Sequence, residues 1–465
     1  MEGQRENKLG VMPVGKLLMS VSLPLMISMF VQALYNIVDG IYVAQISENA
    51  LTATSLAFPA QMMMIAVSVG TGVGVNSLLA RKLGEKRMDE ANDTARNGLF
   101  LAAVSAAVFM VLGALFTRPF ISAFTDVPEI IDMGTQYLSI CLLVDVGVFF
   151  GIMGERLLQA TGKSSLSMAA QLVGAITNIV LDPILIFGRC GFPEMGIAGA
   201  AVATVIGQIL GAVVALVLNL TCNREIHVTF KGFRPNKEII GSIYQVGVPS
   251  IIMQSIGSVM NVGMNKILIS FSTTAVAVFG VYFKLQSFVF MPVFGLTQGL
   301  IPIVGYNYGA RRPKRVIHAY KLCTVVAAAI MAAGTAVFML FPDWLLGLFQ
   351  ASPDMLVIGR RALRIISMAF IPAAISIVAG NTLSGIGNGM ISMVNSILRQ
   401  LVVLLPCAYL LSRSFGLDYV WFSIIIAEIV SLFFTLLMFT REYNKKIKSM
   451  LPRQEGSGVP PAERE

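Results

Sequence analysis

The chain has 465 residues, of which 56% are hydrophobic and 13% are charged, and its mean hydropathy is +0.77. Soluble domains carry about 25% charged residues, so this composition excludes an ordinary soluble protein. The formal net charge is +9, but the basic residues are distributed over many short links and form no continuous stripe. That distribution argues against a nucleic-acid-binding surface and indicates the topology signals of a membrane protein.

Long apolar segments follow one another along most of the chain. A helix needs about 20 mostly apolar residues to cross the hydrocarbon core of a bilayer, whereas the strands of a membrane barrel alternate polar and apolar residues in shorter segments. These segments do not alternate, so the sequence predicts an all-α polytopic membrane protein with about twelve transmembrane helices. The predicted spans are 16–45, 51–80, 98–117, 130–160, 166–188, 197–221, 242–270, 276–306, 317–341, 356–383, 391–412 and 418–440.

These spans predict a chain with two lobes of six helices each. The predicted divisions are an N-terminal segment 1–15, an N-lobe 16–221, a linker 222–241, a C-lobe 242–440 and a basic tail 441–465, disordered from residue 454. Several prolines lie inside apolar segments, where each removes a backbone hydrogen bond and favours a bend. They are Pro24, Pro249, Pro292, Pro302, Pro372 and Pro406.

Basic residues concentrate in the links after the second, sixth and eighth spans and in the tail. Because positive charge is retained on the cytoplasmic side, we expect both termini to be cytoplasmic. The first apolar segment is long enough to remain as a span, so we expect no cleaved signal peptide.

An internal repeat relates the two halves without a gap. Pro24 corresponds to Pro249, an offset of 225 residues, and the same offset relates many other identical residues. Among these pairs are Asn36 and Asn261, Gln61 and Gln286, Gly74 and Gly299, Gly84 and Gly309, and Gly162 and Gly387. In an apolar chain a long duplication is a recurrent sign of a two-lobed transporter. The cleft between the lobes is therefore the predicted site of function.

Among the polar residues inside predicted N-lobe spans, the most informative are Asp39, Asn178 and Asp182. An ionisable group at membrane depth costs a few kcal/mol unless it is paired or hydrated. Asn178 and Asp182 are four residues apart and project from one helix face. The corresponding C-lobe positions hold Met264, Val403 and Cys407. We therefore expect a proton or Na⁺ site in the N-lobe alone; the alternative is that the acids cap bends or pair with a buried base.

Several motifs resemble those of a known family. Residues 178–183, NIVLDP, and 199–204, GAAVAT, resemble the fifth and sixth spans of multidrug and toxic compound extrusion (MATE) transporters. Residues 38–44 resemble the first span of that family, and 159–163 and 302–310 resemble its signature loops. The pattern is most similar to the DinF-like branch and, within it, to MepA-type multidrug exporters of bacteria.

The resemblance implies a V-shaped pair of six-helix bundles that exports cationic amphipathic compounds in exchange for H⁺ or Na⁺ by alternating access. It implies an ion-coupling role for Asp39, Asn178 and Asp182, with Thr204 completing the polar cluster. If the ion is Na⁺, the first three residues would hold it. No other cofactor is expected.

The sequence departs from the family pattern in span four. Some members have an Asn at the position of Ile152, and here Glu155 and Arg156 lie about one turn further on. Another branch uses acids of the C-lobe, but this chain offers Gln254 and Ser376 in spans seven and ten, which argues against that arrangement.

Polar and aromatic residues facing the predicted cleft are candidates for substrate contact, although packing and snorkelling are alternatives. They are Tyr35, Asn36, Gln61, Tyr137, Gln254, Lys284 and Gln286. Arg156 and Arg399 are expected to anchor cytoplasmic span ends. The sequence predicts no function for Asp145 or Glu428.

The resulting prediction is a secondary multidrug exporter in a bacterial plasma membrane, acting as a monomer on small organic cations. The alternative is a lipid-linked saccharide flippase of the same superfamily, which would usually have more spans and a strongly basic cavity. An enzyme is the weakest interpretation, since the chain has no P-loop, zinc spacing or paired diphosphate-binding motif.

Overall fold

The computed structural model describes residues 7–229, 231–349 and 351–450, and the described part is helical with no strand. The predicted disordered segment from residue 454 lies outside the described residues. The helices of the first half are α1 (Lys8–Val11), α2 (Val14–Ile46), α3 (Glu48–Gly84), α4 (Met88–Ser122), α5 (Pro128–Leu143), α6 (Val146–Ala160), α7 (Ser164–Ile186) and α8 (Gly196–Cys222).

The second half repeats this order with additional short helices. It contains α9 (Lys237–Ile269), α10 (Thr273–Gly309), α11 (Pro313–Leu340), α12 (Pro342–Gly347), α13 (Pro353–Ser367), α14 (Phe370–Gly385), α15 (Gly389–Ile397), a π-helical segment (Leu398–Leu404), α16 (Leu405–Phe415), α17 (Leu417–Val420) and α18 (Phe422–Glu442). A second π-helical segment, Tyr443–Ile447, and a 3₁₀ turn, Lys448–Met450, follow.

The predicted number of spans is confirmed. Within the described residues, ten helical segments are long and apolar enough to cross a membrane, and two bent helix pairs bring the number to twelve. The bent pairs are α5 with α6, at 46°, and α13 with α14, at 45°. Spans four and ten, predicted as continuous, are therefore each broken near the middle.

Only one of the two breaks lies beside a proline that predicted a bend, Pro372 in span ten. Pro24, Pro249 and Pro292 lie inside helices that continue through them. The break in span four, between Leu143 and Val146, contains no proline. The corresponding break in span ten precedes Pro372. The two breaks occupy matching repeat positions, so they belong to the duplicated scaffold.

The two lobes meet through small residues arranged with twofold pseudosymmetry. Gly70 and Gly74 of α3 lie against α9, and their repeat counterparts Gly295 and Gly299 of α10 lie against α2. A Cβ atom at any of these glycines would overlap main-chain or side-chain atoms of the opposite lobe. The helices can therefore approach to backbone contact, as small residues allow in membranes.

A second symmetric pair of contacts lies further along the same helices. The backbone of Gly84 packs on the carbonyl of Tyr306, and that of Gly309 packs on the carbonyl of Arg81. These contacts occupy the helix halves that lead to the basic links, which we call the basic end. We call this close contact between the lobes at the basic end the apex.

The N-terminal segment 7–12 crosses this apex. Asn7 Nδ2 donates to the carbonyl of Thr161 in the N-lobe, at 3.1 Å. In the C-lobe, Asn307 Nδ2 donates to the carbonyl of Leu9, at 2.9 Å, and Arg315 donates to the carbonyl of Met12, at 2.7 Å. One short segment is thus bound by both lobes.

The glycine contacts generate a stability prediction. We expect Gly74→Ala to lower the free energy of unfolding by about 1–3 kcal/mol, because its methyl group would overlap the backbone carbonyl of Ile243, which cannot move away cheaply. The matched control is Gly280→Ala on α10, where an added Cβ meets no atom within 4 Å. Thermal unfolding in detergent measures both variants, and equal effects would contradict the proposed close contact.

Candidate functional site

A polar cluster lies inside the N-lobe between α7 and α8. Asn178 and Asp182 project from one face of α7, and both are buried. Asn178 Nδ2 donates to Asp182 Oδ1 at 3.3 Å and to Thr204 Oγ1 of α8 at 3.2 Å. Gly207 lies against Gly174 and Asn178 without room for a side chain. Small residues therefore bring α8 close enough for Thr204 to join the cluster.

Helix α2 adds Asp39 to this cluster. The Asp39 carboxylate is close enough to that of Asp182 for their charges to interact, and Tyr35, one turn away on α2, is within electrostatic range of both. The structure thus brings together all four residues of the predicted ion site. They come from three helices, the consecutive α7 and α8 and the distant α2.

The cluster contains more hydrogen-bond acceptors than donors. Asp39 Oδ1, Asn178 Oδ1 and Asp182 Oδ2 are buried and have no hydrogen-bond partner within the described chain. Buried polar atoms in proteins are nearly always paired, and among the described residues no cationic side chain forms an ion pair with Asp39 or Asp182. Unpaired carboxylate and amide oxygens in one cluster suit added protons or a small hard cation, which prefers oxygen ligands. The residues therefore fit either coupling ion.

Two of the predicted substrate residues adjoin this cluster. The Gln61 side chain of α3 meets the Tyr137 hydroxyl and the Cys141 thiol of α5. Tyr137 is buried and within electrostatic range of Asp39. These side chains extend the polar region of the N-lobe across α3 and α5.

The other predicted substrate residues do not join the cluster. Asn36 and Gln254 are exposed, and Gln286 is half-buried with its Oε1 atom unpartnered among the described residues. Lys284 Nζ lies 5.9 Å from the ring centroid of Phe349. This cation–π contact is internal to the C-lobe, so the structure does not connect Lys284 with the acids of the N-lobe.

Arg156 does not simply anchor the end of a span, as the sequence predicted. Its side chain is buried and donates to Gln298 Oε1 of α10 at 2.6 Å and to Gln159 Oε1 at 2.9 Å. Gln159 Nε2 in turn donates to Ser167 at 2.9 Å. Because Gln298 belongs to the C-lobe, Arg156 contributes a buried polar contact between the lobes near the apex.

Arg399 and Glu428 form an ion pair that sequence reasoning missed. Arg399 lies in the π-helical segment Leu398–Leu404, well inside span eleven, and donates to Glu428 Oε1 of α18 at 2.8 Å. One turn away, Asn395 donates to Ser431 at 2.9 Å. The prediction that Arg399 anchors a span end is therefore wrong. The sequence feature that could have indicated this pair is one basic residue in span eleven and one acidic residue in span twelve.

The ion pair generates a second prediction. We expect Arg399→Leu to lower the free energy of unfolding by about 3–5 kcal/mol, because it leaves the Glu428 carboxylate buried without a counter-charge. The double variant Arg399→Leu/Glu428→Leu removes both charges and should recover most of this loss. Thermal unfolding of both single variants and the double variant forms the test. Additive losses would contradict a direct pairing.

Comparison with known proteins places these features in one family. The family model MatE matches residues 24–184 and 249–410, once in each half. The chain is 26% identical over 423 residues to the multidrug export protein MepA of Staphylococcus haemolyticus strain JCSC1435, covering 90% of this chain and 92% of that protein. MepA of Staphylococcus aureus strain MSSA476 is 25% identical over 424 residues, covering 90% and 91%.

Solved structures show the same similarity. A MATE crystal structure in complex with MaL6 matches with a TM-score of 0.89 and 27% identity, over 96% of this chain and all of that one. An outward-facing multidrug resistance MATE transporter of the MOP superfamily gives the same TM-score, identity and coverage. A MOP superfamily transporter from Pyrococcus furiosus matches with a TM-score of 0.89 and 26% identity, over 97% of this chain and 99% of that one.

Proposed function

The chain belongs to the MATE family of multidrug transporters, and on that premise we propose that it exports cationic amphipathic compounds in exchange for H⁺ or Na⁺. The observation that carries this proposal is the cluster of Asp39, Asn178 and Asp182, whose unpaired oxygens lie in the N-lobe alone. The C-lobe has apolar residues or cysteine at the corresponding positions. A scaffold that needed these groups for its fold would have kept them in both copies.

The proposed cycle couples the ion to the direction in which the V opens. The ion binds Asp39 and Asp182 while the cleft is open opposite the basic end, and ion binding favours release of the organic cation. The lobes then separate at the basic end, the ion leaves and new cargo binds. Coupling requires that ion and cargo bind the two states with different affinities.

The apex contacts support a cycle of this kind. Opening at the basic end must break the glycine contacts between the lobes, the Arg156–Gln298 hydrogen bond and one side of the bridge made by segment 7–12. Each of these contacts is noncovalent and is confined to a few residues. The glycine contacts among them are symmetric, and breaking them leaves the helix packing inside each lobe unchanged, so each lobe would move as a body.

The ion site generates a third prediction. We expect Asp39→Asn and Asp182→Asn each to lower gradient-driven efflux about 5–150-fold, the range that corresponds to coupling free energies of about 1–3 kcal/mol. Efflux of a fluorescent organic cation from proteoliposomes, with Na⁺ and H⁺ gradients imposed separately, measures the loss. The matched control is Asp126→Asn, which makes the same chemical change at an exposed position.

The same assay identifies the coupling ion. Efflux driven by a pH gradient without Na⁺ assigns H⁺, and efflux that requires a Na⁺ gradient assigns Na⁺. Efflux by Asp39→Asn at the wild-type rate under either gradient would refute the proposed ion site.

Alternating access generates a fourth prediction, measured by pulsed electron resonance between spin labels. Lys86 and Arg311 occupy matching exposed positions at the basic end, one in each lobe. Labels on Lys86→Cys/Arg311→Cys should show a longer distance when cargo and ion conditions favour opening there. The background replaces Cys190 and Cys222, the two exposed cysteines among the described residues.

A control pair within one lobe separates lobe motion from local disorder. Lys86→Cys/Arg224→Cys places both labels in the exposed links of the N-lobe, and this distance should stay constant. A constant distance in both pairs under all conditions would contradict alternating access.

A further inference from the structure

Asp145 lies at the break of span four and is not explained by the proposed ion site. The residue is 0% exposed, and both carboxylate oxygens are buried with no hydrogen-bond partner within the described residues. Its backbone carbonyl accepts hydrogen bonds from the amide groups of Val148 and Phe149 at 2.9 and 3.2 Å. The break lies between α5 of 16 residues and α6 of 15 residues, which places Asp145 near the middle of the span.

No described cation is placed to neutralise this carboxylate. The basic residues of the N-lobe helices lie towards helix ends: Lys16, Arg81, Lys82, Arg96, Arg118 and Arg156. Arg156 is already bonded to Gln159 and Gln298. Of the helices packed against span four, α3, α4 and α8 have no titratable residue in their predicted spans, and α7 adds only Asp182. Helix α10 of the C-lobe, which contacts α6 at Arg156, carries Tyr282, Lys284 and Tyr306 in its span, and Lys284 lies on the ring of Phe349. On its own span, the nearest titratable residue is the buried Cys141, one turn away.

The fold does not require an acid at this break. The corresponding residue of the C-lobe is Phe370, which packs edge to face against Phe290 and Phe338, with ring centroids 5.3 and 5.2 Å away. The matching break in span ten is thus filled by an apolar side chain. Nor does Asp145 cap α6, since its side chain makes no capping hydrogen bond.

An ionised carboxylate without partner or counter-charge is among the most costly groups to place in an apolar interior, and it is neutralised instead. A neutralising metal ion would need several oxygen ligands, and the described residues contain no group of three or more His, Cys, Asp or Glu side chains suited to one. A single proton requires only the carboxylate itself.

We propose that Asp145 is a second proton-binding residue of the N-lobe, protonated in the conformation described here and ionised when span four rearranges about its break. This inference deepens the proposed ion-coupled export and rests on it. Water entering the break would accept the proton from the carboxyl oxygen and hydrate the anion. A hydronium ion would return the proton when the break closes again.

The position of Asp145 connects such a proton to the ion site. The α5 half of its span carries Tyr137 and Cys141, which meet Gln61 and lie within electrostatic range of Asp39. A change in the angle between α5 and α6 therefore alters the surroundings of both acids. Asp39 and Asp145 would then be two proton-binding residues connected through the α5 half of span four. Such a pair would let the N-lobe exchange more than one proton in a cycle.

Two measurements on the purified full-length protein test the inference without transport. Infrared spectroscopy detects the carbonyl stretch of a protonated carboxylic acid, and Asp145→Asn should lose one such band at neutral pH while Asp126→Asn keeps it. A pH-sensitive dye in weak buffer counts protons released when tetraphenylphosphonium is added. We expect Asp145→Asn to release fewer protons than wild type, by up to one per chain.

The outcomes separate this inference from the ion site at Asp39 and Asp182. An unchanged infrared band and unchanged proton release in Asp145→Asn overturn the inference, whatever Asp39→Asn does. Loss of the band with unchanged release also overturns it, because the proton would then be permanent. Loss of both signals supports it even if Asp39→Asn still couples, which would refute only the proposed ion site.

A second variant guards against misfolding. Should Asp145→Asn fail to fold, Asp145→Phe introduces the residue that occupies the matching position in the C-lobe. It should fold, lack the infrared band and release fewer protons on adding tetraphenylphosphonium. Retention of the wild-type band in a folded Asp145→Phe protein would also overturn the inference.

Discussion

The hydrocarbon core offers no water, so every polar group placed there must find its partner inside the protein. This constraint explains why the described chain is helical, since helices satisfy their own backbone. It also explains the Arg399–Glu428 pair, whose charges compensate each other in the C-lobe. The N-lobe cluster is the opposite case, because three of its buried oxygens remain unpaired within the described residues. The same rule therefore separates structural polar groups from those that await a ligand.

The duplicated scaffold shows how one helix arrangement supports two different interiors. In the N-lobe, α7 and α8 meet through Gly174 and Gly207, and this close approach assembles the polar cluster. In the C-lobe, Arg399 occupies the position of Gly174. It lies in a π-helical segment of span eleven, and its ion pair with Glu428 connects that span to α18. π-Helical turns are frequent at functional sites. The apex, in contrast, has retained its glycines in both copies.

Much of this arrangement follows from local sequence features. Apolar length is enough to give twelve spans, and the four-residue spacing of Asn178 and Asp182 is enough to place them on one face. The break in span four escaped prediction because no proline marks it, whereas Pro372 marks the break in span ten. The partners of Arg156 and Arg399 escaped because pairing depends on the register between distant helices, which a single sequence does not contain. Thr204 joined the predicted site only through family resemblance, whereas the structure supplies the physical reason in the close approach of α8.

The crossing of the apex by segment 7–12 has a practical consequence for handling the protein. An affinity tag or fluorescent fusion at the N-terminus would be attached a few residues from Asn7 and Leu9, which bind opposite lobes. Bulk there would compete with the bridge and change the balance between conformers that an assay observes. A fusion after the end of α18 leaves the bridge free. The choice of terminus for a purification handle is therefore itself an experimental variable in this protein.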